Sequence, residues 1–482
     1  MAKGSLLSSF LWQLCGNWGT RIGSLLIFAL LARLLDPSAL GTVNYVLGLL
    51  GIFLILADFA LAEYLIYQQD AGAEFSSAIW CLQVGASLVL TLALCLAFWL
   101  APGISVPNDV QAAVMWISAL SMPLMAAARV PEALLRRESS GFRQLAVYGF
   151  FSMSAGALVA LPMAWFGAGI WSLIAKQWVE VIVTLICLFV GSGWRPSWTW
   201  GMTEVRKVLA GSWGLMGSRL LDIASQRADV LLVGNLLGMH SLGVYSVAQK
   251  LFLVLQGSMS GAINGVLNPK FGRLRGQGEA FRDFFVRAVM VAALLTSLVY
   301  LYAYLLSDEL IVVVFGSKWT QSIGIMKVMM LGGLFAAATQ IILAPFISFV
   351  MQDNKWVLGL CLLDFLLTVT SILLAAPYGL LAVVSAQVLK TIFMGLVWWL
   401  RARHHLGFSL RAYGNALLPN LVLLFIVASS FFLLGDWQLQ GDKAWTIAVA
   451  LLKAAAAGLL GLGVCYSLFK QRLPALLATL KH

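Results

Sequence analysis

Long runs of apolar residues recur along the whole chain, separated by short polar segments. Each run is long enough to cross about 30 Å of hydrocarbon as an α-helix, which takes roughly 20 residues. The pattern predicts fourteen membrane-spanning helices, at residues 8–34, 41–66, 77–101, 110–134, 144–166, 168–191, 210–236, 242–266, 284–306, 321–350, 355–376, 379–401, 413–434 and 445–469. The predicted fold class is an all-α polytopic membrane protein.

Composition supports this interpretation and excludes several classes of protein. Of the 482 residues, 61% are hydrophobic and 11% are charged, whereas a soluble domain has roughly 25% charged residues. Soluble enzymes, secreted disulfide proteins and disordered scaffolds are therefore excluded. The six cysteines stand singly, without a Cys-x-x-Cys pair, so we expect no disulfide framework and no zinc site.

The distribution of Lys and Arg between the predicted spans gives the orientation of the chain. Most of these residues fall on the side that carries the termini, and only Arg33, Lys318 and Lys443 fall on the other. Because positively charged loops stay in the cytoplasm, both termini are predicted to be cytoplasmic. The net charge of +11 then reflects topology, and we expect no nucleic-acid partner.

Two halves of the chain resemble each other. The segment Leu34–Gly41 (LLDPSALG) resembles 236–243 (LLGMHSLG), and 169–177 resembles 379–387. Repeats in the same order indicate a duplicated unit of six spans. An even number of spans gives both copies the same orientation, so we expect a pseudo-twofold axis along the membrane normal and a central cavity. The predicted domains are a first bundle at 1–202, a second bundle at 203–402 and an additional helix pair at 403–482.

Polar residues inside the spans fall on particular helix faces. In the first span, Gln13, Asn17 and Arg21 share one stripe, and in the seventh span Asp222 and Asp229 share another with Arg219 and Gln226. A polar face on a membrane helix must meet protein or water rather than lipid. The first helix of each half is therefore predicted to face a shared hydrated cavity.

Charge inside hydrocarbon costs about 2.5–3.5 kcal/mol per residue, so each charged position needs an interpretation. Lys176 and Glu180, four residues apart, are expected to neutralise each other; Arg219 and Asp222 either pair or have separate roles. The candidate substrate-binding residues are Gln13, Asn17, Arg21, Arg129, Arg219, Arg227, Lys250 and Lys390, and the candidate ion-coupling or charge-pairing residues are Asp58, Asp222 and Asp229.

Among the candidate cations, Arg21, Arg129, Lys250 and Lys390 have no obvious acid on their own helix face, which favours substrate contact. Asp58 and Asp229 either pair with cations across helices or bind a coupling ion. We expect no catalytic residues, no bound metal and no cofactor, with coupling to Na⁺ or H⁺ left open. The chain has no phosphate-binding loop of the Gly-x-x-x-x-Gly-Lys-Ser/Thr type, so ATP hydrolysis is not expected.

Two pairs of segments resemble a known family. The beginning of the polysaccharide-biosynthesis (Wzx-type) flippases resembles LARLLDPSALG (31–41) and ADFALA (57–62) of this chain. The beginning of their second half resembles RADVLLVG (227–234) and LGVYSVA (242–248). The resemblance covers about residues 8–402. These flippases belong to the multidrug/oligosaccharidyl-lipid/polysaccharide exporter superfamily, which also contains multidrug exporters and the peptidoglycan lipid-precursor flippase.

The resemblance implies a function. It implies that the chain moves undecaprenyl-pyrophosphate-linked oligosaccharides from the cytoplasmic to the outer leaflet of the bacterial inner membrane, by alternating access. It also implies that cavity arginines, here Arg21, Arg219 and Arg227, bind the pyrophosphate. Membrane lipids and the polysaccharide polymerase and co-polymerase are the implied partners. Many members of the family have twelve spans, whereas the fourteen predicted here resemble the arrangement of the lipid-precursor flippase. The role of the last two spans is left open.

Other functions remain as alternatives. A multidrug exporter of the same superfamily is expected to have an acidic cavity, whereas cations outnumber acids within the predicted spans. A flippase for the lipid-linked peptidoglycan precursor is a second alternative. A membrane glycosyltransferase, polymerase or ligase is expected to have a sizeable external loop, but the longest one predicted here is 307–320. We therefore expect that the protein is not an enzyme.

Overall fold

The computed structural model describes most of the chain up to residue 406. The described residues are 3–58, 61–67, 72–100, 109–137, 141–197, 202–274, 278–346 and 354–406, with residues 425 and 429. Within these ranges, regular secondary structure is helical throughout.

The helices follow the predicted apolar runs. In the first part of the chain they are α1 (Lys3–Leu34), α2 (Pro37–Asp58), α3 (Leu61–Tyr67), α4 (Ala73–Leu100), α5 (Asp109–Ala119), α6 (Met122–Ala127), α7 (Arg129–Arg137), α8 (Gly141–Trp165) and α9 (Ile170–Ser192). They continue as α10 (Met202–Arg273), α11 (Gly278–Leu305), α12 (Ser307–Phe315), α13 (Gln321–Phe346), α14 (Asn354–Ala375) and α15 (Leu380–Leu406).

Nine helical segments among the described residues are long and apolar enough to cross a membrane. The protein is therefore a polytopic all-α membrane protein, as predicted. The predicted spans at 413–434 and 445–469 lie outside the described residues, and the count of fourteen stays a prediction. The pseudo-twofold axis also stays a prediction.

Proline and glycine mark where helices begin, break and turn. Pro37 begins α2, where its fixed φ and missing N–H are tolerated. The predicted span 110–134 is divided into α5, α6 and α7, with Pro123 in the first turn of α6. Gly238 has a φ of 83° and interrupts α10, so α10 consists of two helices joined at this glycine. A side chain is disfavoured at such a φ.

The described residues group into two units. The first comprises residues 1–246 with 357–380, and the second comprises 247–356 with 381–482. In the first unit, α8 packs against α1 and α9, and α4 packs against α2 and α6. In the second unit, α11 packs against α13. The domain boundaries predicted at residues 202 and 402 stay predictions.

Within the first unit, the two segments recognised as a sequence repeat touch each other. A Cβ added to Gly41 would collide with the carbonyl oxygen of Met239 and with the backbone nitrogen of Gly243. A Cβ added to Gly243 would collide in turn with the carbonyl oxygen of Pro37. The two glycines therefore occupy matching positions in a reciprocal contact, where backbone meets backbone and no side chain fits.

The same contact continues between α2 and the first helix of α10. A Cβ on Gly234 would lie 2.6 Å from Cδ2 of Tyr45, and one on Gly48 would lie 3.2 Å from Cγ1 of Val230. We call the positions 41, 45, 48 and 51 of α2, with their partners on α10, the α2–α10 seam. Residue numbers rise along α2 while they fall along α10, so the two helices run antiparallel.

Because backbone cannot move aside as a flexible side chain can, we expect Gly41→Ala to destabilise the protein by about 1–3 kcal/mol through overpacking. The measurement is thermal unfolding of the purified full chain in detergent. Gly85→Ala is the matched control, since a Cβ there meets nothing within 4 Å in the described structure and alanine favours a helix by about 1 kcal/mol. Equal melting temperatures for Gly41→Ala and the wild type would contradict the expectation.

Candidate functional site

The α2–α10 seam leads to an arginine inside the membrane. A Cβ on Gly51 would lie 3.5 Å from Nε of Arg227, so this side chain lies over the seam while remaining exposed. With a helix rise of ~1.5 Å per residue, Arg227 lies about 16 Å from the turn at Gly238. This is about half the ~30 Å thickness of the hydrocarbon core. The seam therefore leads to a guanidinium group within a helical segment that is apolar enough to cross a membrane.

A second arginine of the same unit also lies well inside a helix. Arg21 lies about 20 Å from the end of α1 at Leu34, by the same helix rise, and its side chain is half-buried. Among the described residues, neither Arg21 nor Arg227 forms an ion pair. Both were predicted as substrate-binding residues from sequence. The first unit therefore has two guanidinium groups, well inside their helices, that no described acid neutralises.

The second unit also carries predicted cations within its helices. Lys390 lies about 14 Å along α15 from Leu381, and Lys250 lies in the second helix of α10. Both side chains are half-buried. Their role in binding substrate stays a prediction.

Several predicted site residues have side chains outside the described part of the structure, namely Gln13, Asn17, Arg219 and Asp222. Their backbones lie in α1 and α10. Along α10, Arg219 is about 28 Å from Gly238 by the helix rise, which places its backbone much farther from this turn than Arg227. Arg227 is therefore the arginine of α10 that lies nearer to this turn.

Arg129 corrects one expectation about the candidate cations. It was expected to have no acid on its own helix face, but its Nη1 lies 3.7 Å from Oε2 of Glu132, one turn along α7. The same carboxylate pairs with Arg136 at 2.6 Å. Sequence reasoning missed this pair because Glu132 lay at the end of a predicted span and was not counted as intramembrane. The three side chains form a local charge network at the end of a span.

The two predicted acids whose side chains are described both accept hydrogen bonds from neighbouring helices. Asp58, at the end of α2, accepts a hydrogen bond from the buried amide of Gln83 on α4. Asp229 accepts one from the hydroxyl of Tyr245 at 2.6 Å, which links the two helices of α10 across Gly238. Each hydrogen bond offsets part of the cost of placing a carboxylate in a poorly hydrated position.

A third acid has a cross-helix partner that sequence reasoning did not identify. Asp364 of α14 accepts a hydrogen bond from the hydroxyl of Ser225 on α10, and Ser225 Oγ lies 3.3 Å from Oγ1 of Thr368. Ser225 lies two residues before Arg227, which puts the two side chains on nearly opposite sides of the helix. Only the fold brings residues 225 and 364 together, because no spacing in the sequence connects them.

The predicted neutralisation of Lys176 is confirmed. Nζ of Lys176 donates a hydrogen bond to Oε1 of Glu180 at 2.6 Å, along one face of α9. Both side chains are half-buried. This pair therefore has a structural explanation and needs no ligand.

Comparison with known proteins gives a family and several relatives. Residues 30–324 match the profile of a family described as polysaccharide biosynthesis protein, which covers more than half of the chain. The succinoglycan biosynthesis transport protein ExoT of Rhizobium meliloti is 27% identical over 64% of this chain and 62% of its own. The lipopolysaccharide biosynthesis protein WzxC of Escherichia coli is 22% identical over 63% and 62%. The chain spans less than two thirds of the length of these relatives.

Solved structures with a similar fold are membrane transporters. The lipid II flippase MurJ, in an inward closed conformation, has a TM-score of 0.72 at 14% identity, over 95% of this chain and 99% of its own. An inward-facing multidrug resistance transporter of the MATE family has a TM-score of 0.63 at 11% identity, over 80% and 94%. At these identities the likeness concerns the fold alone.

The ion pair between Lys176 and Glu180 allows a direct test of charge neutralisation. We expect Lys176→Met to lower the free energy of unfolding by about 1–3 kcal/mol, because it leaves a carboxylate unpaired within the membrane. The double variant Lys176→Met/Glu180→Gln removes both charges and is expected to recover most of this loss. Thermal unfolding in detergent measures both effects, and a double variant as unstable as Lys176→Met would rule out simple neutralisation.

Proposed function

The chain belongs to the polysaccharide biosynthesis protein family, and from this membership we propose that it carries undecaprenyl-pyrophosphate-linked oligosaccharide units from the cytoplasmic to the outer leaflet of the bacterial inner membrane. The family predicted from sequence is thereby confirmed, and the protein is a multi-pass membrane transporter of the flippase or exporter type. The proposed substrate is in line with the biosynthetic roles that the names of its relatives state.

The observation that carries the proposal is a pair of arginines within the helices of the first unit, Arg21 and Arg227, with which no described acid pairs. A guanidinium group inside hydrocarbon costs several kcal/mol when it has no partner, so two arginines that no described acid neutralises favour an anion or water beside them. A pyrophosphate group meets this need, because guanidinium binds phosphate oxygens with paired, charge-assisted hydrogen bonds. These bonds replace the hydration that the pyrophosphate loses when it leaves the membrane surface.

The membrane potential supplies part of the drive in this mechanism. Moving a negative charge outward through an inside-negative membrane is favourable by about 2.3 kcal/mol per charge per 100 mV. Arginines at mid-depth lower the barrier, since they stabilise the anion where hydrocarbon would oppose it most. Alternating access then requires the substrate site to open to each side in turn, in the manner of transporters built from two bundles.

Coupling to Na⁺ or H⁺ forms a second part of the proposal. We assign this coupling to Asp229, because its carboxylate accepts a hydrogen bond from Tyr245 across the turn of α10. A cation or proton that competes for this carboxylate would weaken the link between the two helices. Asp58, which accepts a hydrogen bond from Gln83, is another acid of the first unit with the same kind of contact.

The proposal also covers topology and partners. Both termini lie in the cytoplasm, as the distribution of Lys and Arg indicates. The polysaccharide polymerase and co-polymerase receive the translocated units at the outer surface. The chain itself moves the lipid-linked substrate without making or breaking a glycosidic bond.

The proposal is tested in cells that depend on this protein for a surface polysaccharide. We expect Arg21→Ala and Arg227→Ala each to lower polymer output about 10- to 100-fold, since each removes a charge-assisted interaction of about 1.5–3 kcal/mol. Arg33→Ala is the matched control, because Arg33 is an exposed arginine in the last turn of the same helix α1. The amount of protein in the membrane is measured in parallel.

Normal polymer output from both Arg21→Ala and Arg227→Ala, at normal protein levels, would refute the proposed site. Drug susceptibility of a deletion strain separates the flippase from a multidrug exporter. The reference is a strain that lacks the polymerase and therefore also lacks the polymer. If the protein is a flippase, its deletion strain and this reference strain are equally susceptible to cationic drugs. A specific increase in susceptibility would favour the exporter.

A further inference from the structure

The side chain of Arg227 starts from the packed face of its helix. Val230 and Gly234 lie three and seven residues further along α10, so all three positions share one face. Val230 lies against Gly48 of α2. Gly234 lies against Tyr45 of the same helix. The side chain of Arg227 therefore begins within the α2–α10 seam, where a side chain of its length needs space on the opposite helix.

Gly51 of α2 provides this space. A Cβ built on Gly51 would lie 3.5 Å from Nε and 4.0 Å from Cζ of Arg227. These are ordinary van der Waals distances, so one methyl group fits. A larger side chain would have to share the space that the guanidinium group occupies, and close-packed atoms do not overlap. The contact therefore allows glycine or alanine at position 51 without displacement of the arginine.

Burial decreases along the seam towards this arginine. Gly41 and Gly48 are buried, Gly51 is half-buried and Arg227 is exposed. The guanidinium group therefore has α2 on one side and accessible space on another. It belongs to a segment apolar enough to cross a membrane, where a cation facing hydrocarbon is costly. Water or an anion in the accessible space removes this cost.

A guanidinium group held against a helix binds an anion better than a mobile one. An arginine side chain has many rotamers, and fixing one of them on binding costs conformational entropy. Contact with α2 restricts these rotamers before the anion arrives, so less freedom is lost on binding. Both terminal nitrogens of Arg227 lie more than 4 Å from the Cβ built on Gly51, which leaves their N–H donors for a ligand.

We propose that Gly51 is a positioning residue for Arg227. Its missing side chain lets the guanidinium group lie against α2, in the place where it binds the phosphate groups of the substrate. This role rests on the function proposed above, in which Arg227 binds pyrophosphate. It adds that the size of residue 51 controls anion binding, and that it does so through the arginine.

The test is a double-mutant cycle, measured as binding of undecaprenyl pyrophosphate to the purified full chain in detergent. We expect Arg227→Ala to weaken binding about 10- to 100-fold and Gly51→Leu to weaken it about 5- to 20-fold, since the second change displaces the donors that the first removes. In the Arg227→Ala background, we expect Gly51→Leu to change binding by less than about twofold, because no guanidinium group remains to be displaced.

Two further variants separate side-chain size from a general effect of replacing glycine. Gly51→Ala is expected to bind like the wild type, because its methyl group fits beside the arginine. Gly359→Leu is the matched control, since position 359 is exposed and a Cβ there meets nothing within 4 Å in the described structure. Thermal unfolding shows whether each variant is folded, and Gly51→Val carries the same cycle if Gly51→Leu does not fold.

The outcomes distinguish the positioning role from the proposed function. Equal losses from Gly51→Leu with and without Arg227 would overturn the positioning role, because residue 51 would then act through helix packing. Unchanged binding by Gly51→Leu, with binding weakened by Arg227→Ala, would also overturn it but would leave the proposed function standing. Unchanged binding by Arg227→Ala would refute Arg227 as a substrate-binding residue and the positioning role with it.

Discussion

Hydrocarbon offers no hydrogen-bond partner to the polypeptide, and the rest of this structure depends on that constraint. Every spanning backbone must satisfy its own polar groups, which only helices and closed barrels achieve. The described chain is accordingly helical wherever it has regular structure. The same constraint governs its charged side chains, each of which needs a partner, water or a ligand. Whether a charged side chain within a span has a partner therefore indicates whether its role is structural or functional.

The charges divide by their partners. Lys176 with Glu180 has a nearby partner on its own helix; Asp58, Asp229 and Asp364 accept hydrogen bonds from side chains on neighbouring helices or helical segments. These contacts stabilise the charged side chains, so no bound substrate is needed to explain why the charges are there. Arg21 and Arg227 differ, because no described acid pairs with them, and an anionic cargo gives them a physical role. A family of polysaccharide transporters is a setting in which such a cargo is expected.

The α2–α10 seam shows how helices can approach closely without a hydrophobic driving force between them. In a membrane, apolar surface gains little by leaving lipid, so helix contact depends on packing, and glycine permits the nearest approach of two backbones. Gly41 lies against the backbone of Met239 and Gly243, and Gly243 lies against the backbone of Pro37. Tyr45 and Val230 fill the spaces beside Gly234 and Gly48, and the seam then reaches Arg227. Close packing along the seam thereby brings α2 next to the side chain of Arg227.

The sequence by itself determined the membrane class, the helical content, the approximate ends of most helices in the described part of the chain, the family and the pairing of Lys176 with Glu180. Each of these depends on composition or on residues within a few turns of one helix. Tertiary structure alone decided that Asp364 meets Ser225, that Gln83 holds Asp58, and that the two repeat segments touch through Gly41 and Gly243. It also brought Arg227 next to Gly51 in the α2–α10 seam. The reason is that hydropathy records where a residue sits along its own helix, whereas partners on other helices depend on packing, which no spacing along the chain encodes.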